Sequence, residues 1–545
     1  MKSENSGAFT RRSLMKAGLA GGALAAAGPL LSPQIPSTAA ASAAPFDLEE
    51  MTISNMKAGL RSGELTTRSL VESYLGRIEE LNMRGPELRA VIEVNPDALE
   101  IAAALDVEHR EKGPRGPLHG IPILLKDNIA TADRMTTTAG SLALEGSIPS
   151  RDAFLAERLR AAGAILLGKA NLSEWANFRS SRSSSGWSSR GGQCRNPYAL
   201  DRNPSGSSSG SAVAAAANLC AAAVGTETDG SIVSPASSCG IVGIKPTVGL
   251  VSRSGVIPIA HSQDTAGPMA RTVADAAILL AAMMGVDERD ETTGASKGKS
   301  LDLATILDAN GLQGARIGVY LPRSLDDNPL TNPVLAEAVA AMKDRGATII
   351  EGVEIPTAGK FGDSEYEVLL YEFKADLNRY LADLGPGAPI HSLQDAIDFN
   401  ERHRERVMPF FGQEIFLQAQ KKGPLSEAAY KKALEACRRL SRKEGLDAVF
   451  AKHKVDALVA PSNGPAWLID LVNGDSPTGG SSSFAAVSGY PNITVPAGYA
   501  FGLPVGISFI GPAWSEPTLI KLAYAFEQGT RARKPPRFLP TAALG

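Results

Sequence analysis

Histidine and cysteine are scarce in this chain of 545 residues, with six of the first and four of the second. So few soft ligands argue against a multi-ligand metal centre and exclude a small disulfide scaffold. Cys194, Cys220, Cys239 and Cys437 show no spacing that demands pairing, and buried free thiols are the expectation for most of them. There is no basic excess either. The formal net charge is −3, which speaks against a nucleic-acid binder. Past the N-terminus, no run of twenty apolar residues marks a membrane span. What the chain does have is 43% hydrophobic and 21% charged residues. That balance excludes intrinsic disorder and a collagen-like repeat. It leaves a globular protein long enough for one large or two to three ordinary domains.

The N-terminal stretch reads as a targeting segment. Thr10-Arg11-Arg12-Ser13-Leu14-Met15-Lys16 is a twin-arginine pattern, followed by an Ala/Gly/Leu run from Ala17 to Leu31. A small-residue cleavage site follows at Ala41-Ser42-Ala43. The run is too rich in Gly and Ala for a core helix or a stable span. Residues 1–43 are therefore expected to be a twin-arginine signal peptide, and residues 44–545 a periplasmic or secreted protein without a membrane anchor. Its loss removes four basic residues and one acidic residue from totals of 55 and 58, leaving a formal −6.

Along the rest of the chain, helix and strand signals alternate. Leu70, Val71, Tyr74, Leu75, Ile78 and Leu81 share one face of a helix expected after Thr66. Gly120-Ile-Pro-Ile-Leu-Leu125 reads as a buried strand running straight into Lys126-Asp127-Asn128. Residues 152–162 look helical and 164–167 look like a strand. The alternation continues through Ile257, so the expected class is α/β with a largely buried sheet. Thr272-Val-Ala-Asp275 resembles a capping box, 285–300 an exposed polar loop, and 335–450 a charged helical insertion. Short apolar strands return over 455–511. No internal repeat or linker separates two cores, which favours one large domain.

Three motif matches compete. Gly163-Ala-Ile-Leu-Leu-Gly168-Lys169 approaches a phosphate-binding loop, but residue 170 is Ala and the intervening residues form a strand. Gly206-Ser207-Ser208-Ser209-Gly210 fits the nucleophile elbow of an α/β-hydrolase, with Ser208 as nucleophile. That elbow needs a buried strand before it and a histidine base. Arg195 to Ser205 are polar with two prolines, and no histidine sits in a persuasive motif. The third match is longer. Pro204-Ser-Gly-Ser-Ser-Ser-Gly-Ser211 leads into an Ala-rich helix, then Gly225-Thr-Glu-Thr-Asp-Gly-Ser231-Ile232, then Gly240-Ile-Val-Gly-Ile-Lys245-Pro-Thr247. A flexible Ser/Gly linker would have no reason to carry ordered motifs on both sides of an apolar helix.

This third pattern resembles the amidase signature family. The resemblance runs from Lys126 through Pro268-Met-Ala-Arg271 to Gly489-Tyr-Pro-Asn-Ile-Thr-Val-Pro496 and Gly502-Leu-Pro-Val-Gly506, with a signature core at about 115–275. It implies a large mixed β-sheet covered by helices on both faces, and a Ser–Ser–Lys triad in place of Ser–His–Asp. Carried over by motif, Ser231 is the nucleophile, Ser207 the bridging serine after a cis peptide bond, and Lys126 the base. Backbone amides of Thr228, Asp229, Gly230 and Ser231 would form the oxyanion hole. Lysine has a reference pKa of about 10.4, so a base working near neutrality needs a depression of roughly 3 units, or about 4 kcal/mol, which desolvation can supply. The implied scheme is an acyl-enzyme on Ser231, departure of ammonia or an amine, then attack by water. It requires no metal, cofactor or nucleotide.

Two departures bear on the substrate. Asp229 and Val233 stand where the family pattern frequently has Gly and Arg. With Asn171-Leu-Ser-Glu-Trp-Ala-Asn-Phe178 and Gly186-Trp187, the string is most similar to the bacterial peptide amidases, a class that releases ammonia from C-terminal peptide carboxamides and spares internal bonds. The expected substrate is a small-molecule or short-peptide amide, with Trp187, Trp467 or the helical 360–420 insertion lining an open acyl-side groove. Amidases acting on aryl, acyl or indole amides share most of the pattern. A tRNA-dependent amidotransferase component, also of this family, would be cytoplasmic, which the export signal opposes. A non-catalytic relative would not be expected to keep all three triad positions.

Overall fold

Short apolar runs become strands in the computed structural model, which describes residues 47–543. The segment read as a signal peptide lies outside those residues. Thirteen strands form among the described residues. The first six are β1 (Val91–Val94), β2 (Pro122–Lys126), β3 (Ile165–Ala170), β4 (Trp187–Ser188), β5 (Gly192–Gln193) and β6 (Ala222–Glu227). Then come β7 (Val242–Lys245), β8 (Thr265–Ala270), β9 (Arg316–Val319), β10 (Thr348–Ile350), β11 (Ala457–Pro461), β12 (Asn492–Ala500) and β13 (Leu503–Ile510). Eleven of them pair in the order β1-β3-β2-β6-β8-β7-β12-β13-β11-β9-β10, while β4 and β5 form a separate hairpin. The large sheet is mixed. β2 runs parallel to β3 and β6, and β8 is antiparallel to both β6 and β7.

Every residue of β2, β3, β6 and β8 is buried. A strand loses water on both of its faces only when helices cover both, which is why these segments read as continuous apolar runs and not as alternations. The helix Ser209–Ala216 is buried throughout and made of small residues. Gly210 sets its approach: a Cβ there would lie 2.3 Å from Ala90 O and 2.4 Å from Asn171 O. The helix after Thr66 spans Thr67–Leu81, with a reciprocal cap between Thr66 and Ser69, and buries Leu70, Val71, Tyr74, Ile78 and Leu81.

Some expectations need correction. Thr272 caps its helix by accepting from the Asp275 amide, but no reciprocal bond runs from the Thr272 amide to the Asp275 carboxylate, which accepts from the Ile53 amide. Residues 285–300 are not simply an exposed loop. Asp287 and Asp290 are buried there because their carboxylates accept from Ser252, Ser254 and Arg253, and a 3-10 turn forms at Glu291–Ser296. The charged region 335–450 also contains β10, whose three residues pair with β9. All four cysteines are buried free thiols.

The topology sets up a site at the carboxyl ends of two interior strands. β2 and β6 are adjacent and parallel, so their carboxyl ends open on the same side. Lys126 is the last residue of β2 and Glu227 the last of β6. Loops leaving such strand ends are where α/β sheets place their chemistry.

Candidate active site

Lys126 is fully buried, although it ends a strand. Its Nζ lies 2.8 Å from Ser207 Oγ, 2.9 Å from Thr226 Oγ1 and 3.2 Å from Thr226 O. Desolvation pushes the amine down to about 7, against the opposing pull of Asp264 and Glu227. A neutral amine has two N–H donors and one lone pair. The Thr226 carbonyl can only accept, so it takes one N–H. Asn128 Nδ2 donates to Thr226 Oγ1 at 3.0 Å, leaving that hydroxyl oxygen a second lone pair for the other N–H. The lysine lone pair is then left facing Ser207 Oγ, the arrangement a base requires.

Ser207 follows a cis peptide bond from Gly206. Its carbonyl accepts from the Ser173 amide at 3.1 Å, and a Cβ on Gly206 would meet Ser173 Oγ at 2.2 Å. The segment Asn171–Phe178 therefore forms the wall against which the serine loop is pressed. Trp175, Ala176 and Asn177 in that wall all have left-handed backbones, with φ of 52°, 54° and 69°. Backbone strain of this kind concentrates where surrounding structure over-determines a site. The Ser208 amide donates to Ser231 O at 3.1 Å, which ties the two serine loops together. Ser231 is partly exposed, whereas Ser207 is fully buried.

The turn carrying Ser231 hangs from carboxylates. Glu227 Oε2 accepts from the amides of Ile232 at 2.8 Å and Val233 at 3.0 Å, just after the serine. Thr228 Oγ1 donates to Asp264 Oδ1 at 2.6 Å, and Asp264 Oδ2 accepts from the amides of Ile259 and Ala260. Burial raises the Asp264 carboxyl to about 6 despite those bonds. Gly230 takes φ +79°, a conformation L side chains rarely adopt, so the bend before Ser231 suits glycine. Asp229 accepts from Ser482 Oγ.

Other candidate residues lie elsewhere. Trp187 packs edge-on against Phe410 and Phe411, with ring centroids 5.5 and 5.1 Å away, and lines a cavity of about 610 Å³ with Arg89 and Leu200. Trp467 donates to Asp475 at 3.1 Å and lines a separate cavity of about 590 Å³ with Phe501. Lys126, Ser207 and Ser231 are not among the residues lining either cavity. Ser208, the nucleophile of the elbow alternative, is locked in the core. Its Oγ donates to Thr226 O and accepts from the Thr226 amide. Lys169 of the phosphate-loop match is buried in β3 and donates to Ile129 O and Thr137 Oγ1. Among the described residues, His261, Glu372 and Asp376 bring ligand atoms within 4.8 Å of one another. Tyr430 and the Ser262 amide already occupy Glu372, and Arg379 and His261 occupy Asp376, so the group reads as an ion-pair network.

Sequence reasoning missed Thr226, Asn128, Glu227 and Asp264. Glu227 carried a usable signal, an acidic residue at a strand end shortly before a helical turn with unpaired amides. Asp264 carried none, because only the β6–β8 pairing brings it near Thr228.

Several known proteins are similar to this chain over most of its length. A family model described as Amidase matches residues 69–520. A probable amidase of Arabidopsis thaliana is 45% identical over 504 residues, covering 91% of this chain and 93% of that protein. A glutamyl-tRNA(Gln) amidotransferase component from Chromohalobacter salexigens is 35% identical, covering 89% and 97%. The solved native peptide amidase of Stenotrophomonas maltophilia is 53% identical with a TM-score of 0.87, covering 91% of this chain and all of that one.

Thr226 yields a direct test of the lone-pair argument. Thr226→Val removes an acceptor from Lys126 and from Asn128 but keeps the carbonyl. Loss of one such hydrogen bond is expected to cost about 1–2 kcal/mol, roughly 5–30-fold in kcat/KM. Steady-state kinetics on any accepted amide checks this, and an unchanged kcat/KM would refute the role.

Proposed function

Because this chain belongs to the amidase signature family and is an amidohydrolase, we propose that Lys126, Ser207 and Ser231 are its catalytic triad and that its substrates are C-terminal peptide amides. The observation that carries the triad is the buried Lys126 amine, 2.8 Å from Ser207 Oγ with its N–H groups directed at Thr226. Ser207 passes its proton to Lys126 as it takes the proton of Ser231, whose oxygen attacks the amide carbon. Backbone amides of the Thr228–Ser231 turn hold the developing oxyanion. The proton returns through Ser207 to the leaving nitrogen as the C–N bond breaks. Water, activated by the same pair, then hydrolyses the acyl-enzyme.

The peptide-amide reading is supported by similarity: 53% identity to the Stenotrophomonas maltophilia peptide amidase against 35% to the Chromohalobacter amidotransferase component. A terminal carboxamide has only NH2 on its leaving side, so a site closed beyond the scissile nitrogen admits it and rejects a continuing chain. Export through residues 1–43 belongs to the same reading, since it places the enzyme where extracellular peptides are met.

Ser231→Ala and Lys126→Met are each expected to lose roughly 10³-fold or more in kcat. Lys126 must be neutral to act, and its folded value lies near 7. The wild-type kcat/KM should therefore rise with pH through about 7 and fall about tenfold for each unit below it. A rate that stays flat from pH 5 to 8 would remove the lysine from the base role. Substrate class is tested by ammonia release from amidated dipeptides against cleavage of internal bonds in the same peptides; efficient internal cleavage would defeat it. Export is tested by fractionating the producing cells and sequencing the protein's N-terminus. The expected result is a chain starting at Ala44 outside the cytoplasm, and an intact cytoplasmic Met1 would overturn the assignment.

A further inference from the structure

Asp229 stands inside the turn assigned to the oxyanion, and its carboxyl group is bonded to an element far away in sequence. It accepts from Ser482, and it lies within hydrogen-bonding reach of the carboxyl group of Glu365 on the helix Gly362–Asp383. Two carboxylates have no hydrogen to place between them, so such a bond exists only when one of the pair carries a proton. Gln263 Nε2 completes the link. It donates to Glu365 Oε1 at 3.0 Å and lies 3.3 Å from Thr228 O, so Thr228 and Asp229 are both tied to the same glutamate. Further along, the helix accepts from the Ser262 amide through Glu372 and from the His261 amide through Asp376, and so holds the loop that carries Gln263.

We propose that Asp229 and Glu365 share a single proton, and that this carboxyl–carboxylate bond is a positioning device fixing the Thr228–Ser231 turn against the helix Gly362–Asp383. The inference rests on the reading of that turn as the oxyanion site. It gives a role to the aspartate that departs from the common family pattern. The proton belongs to the pair, and the two groups titrate together. Burial raises both, and the neighbouring Asp229 charge helps carry Glu365 up to about 8. The other groups facing the pair are Lys245 of β7, which favours the charged Asp229, Glu227 of β6, and Cys437 of the helix Ala428–Arg438, whose thiol Glu365 helps push up to about 12. Once the shared proton leaves, two like charges face each other and the turn is driven from the helix. Activity then has an alkaline limit owed to this pair and an acid limit owed to Lys126.

Glu365→Gln separates the two. The amide can donate to Asp229 and accept from Gln263 while having nothing to titrate. Its kcat at pH 7 should stay within about threefold of wild type, and the alkaline limb should move up by at least about one unit or disappear. Glu365→Ala should lower kcat by up to about 10²-fold with KM little changed, the mark of a displaced turn and not of lost substrate contact. An alkaline limb that survives unchanged in Glu365→Gln overturns the inference and assigns the limb elsewhere, Lys245 included. Full kcat in a folded Glu365→Ala also overturns it. Should Glu365→Ala fail to fold, the profile of Glu365→Gln decides alone. Failure of the triad reading looks different, because the acid limb near 7 would then be missing in wild type and variants alike.

Discussion

The site depends on keeping one amine dry. Lys126 sits at the end of a five-residue strand buried at every position, flanked by parallel strands on both sides. Burial disfavours its charged form strongly enough to outweigh two nearby acids. A drop from about 10.5 to about 7 corresponds to several kcal/mol of differential solvation. Folding must supply that energy from elsewhere, and the large apolar core around β2 and β6 is where it does. Access to solvent at this one point would restore the charge and, in the proposed triad, leave Ser207 with no acceptor for its proton.

Burial alone does not make a base. Lys169 and Lys245 are as fully buried as Lys126, and both are pushed down to about 8. Lys245 donates to the carbonyls of Pro246 and Tyr490, and Lys169 to a carbonyl and to Thr137. These amines are consumed in holding loops together. What distinguishes Lys126 is a third neighbour, the Ser207 hydroxyl, reached after the N–H groups already have acceptors. The same desolvation therefore has two outcomes, and the count of acceptors around the nitrogen decides between them.

This distinction explains what the sequence made legible. The strand ending at Lys126, the two serine motifs and the small-residue helix between them are local patterns, so both the fold class and the buried amine were readable from them. The acceptor count was not. Thr226 lies 100 residues from Lys126 and Asn128 lies 98 from Thr226, and only the β2–β6 pairing brings them together. The cavities that the two tryptophans face were not legible either. An aromatic residue near a motif signals a large buried surface but not which cavity it faces, and Trp187 spends that surface on Phe410 and Phe411. The loop at 285–300 read as solvated because its residues are short and polar. Most of the segment is indeed exposed, but Asp287 and Asp290 turn inward to accept from Ser252, Arg253 and Ser254, which a local count of polarity does not show.

The proposed lysine base also changes what the rest of the site can tolerate. In a histidine triad, a buried carboxylate stabilises the cation that forms. Here an ionised carboxylate placed close to Lys126 would raise its pKa and hold it in the protonated, inactive form. Asp264 and Glu227 both exert that pull. Each carboxylate is committed to backbone amides, Asp264 to Ile259 and Ala260, Glu227 to Ile232 and Val233. Burial also raises both carboxyls toward neutrality. The acids that shape the turn carrying Ser231 are thus spent on the backbone, and burial disfavours their ionised forms. That is the condition under which a turn built on carboxylates can lie beside an amine that must stay neutral.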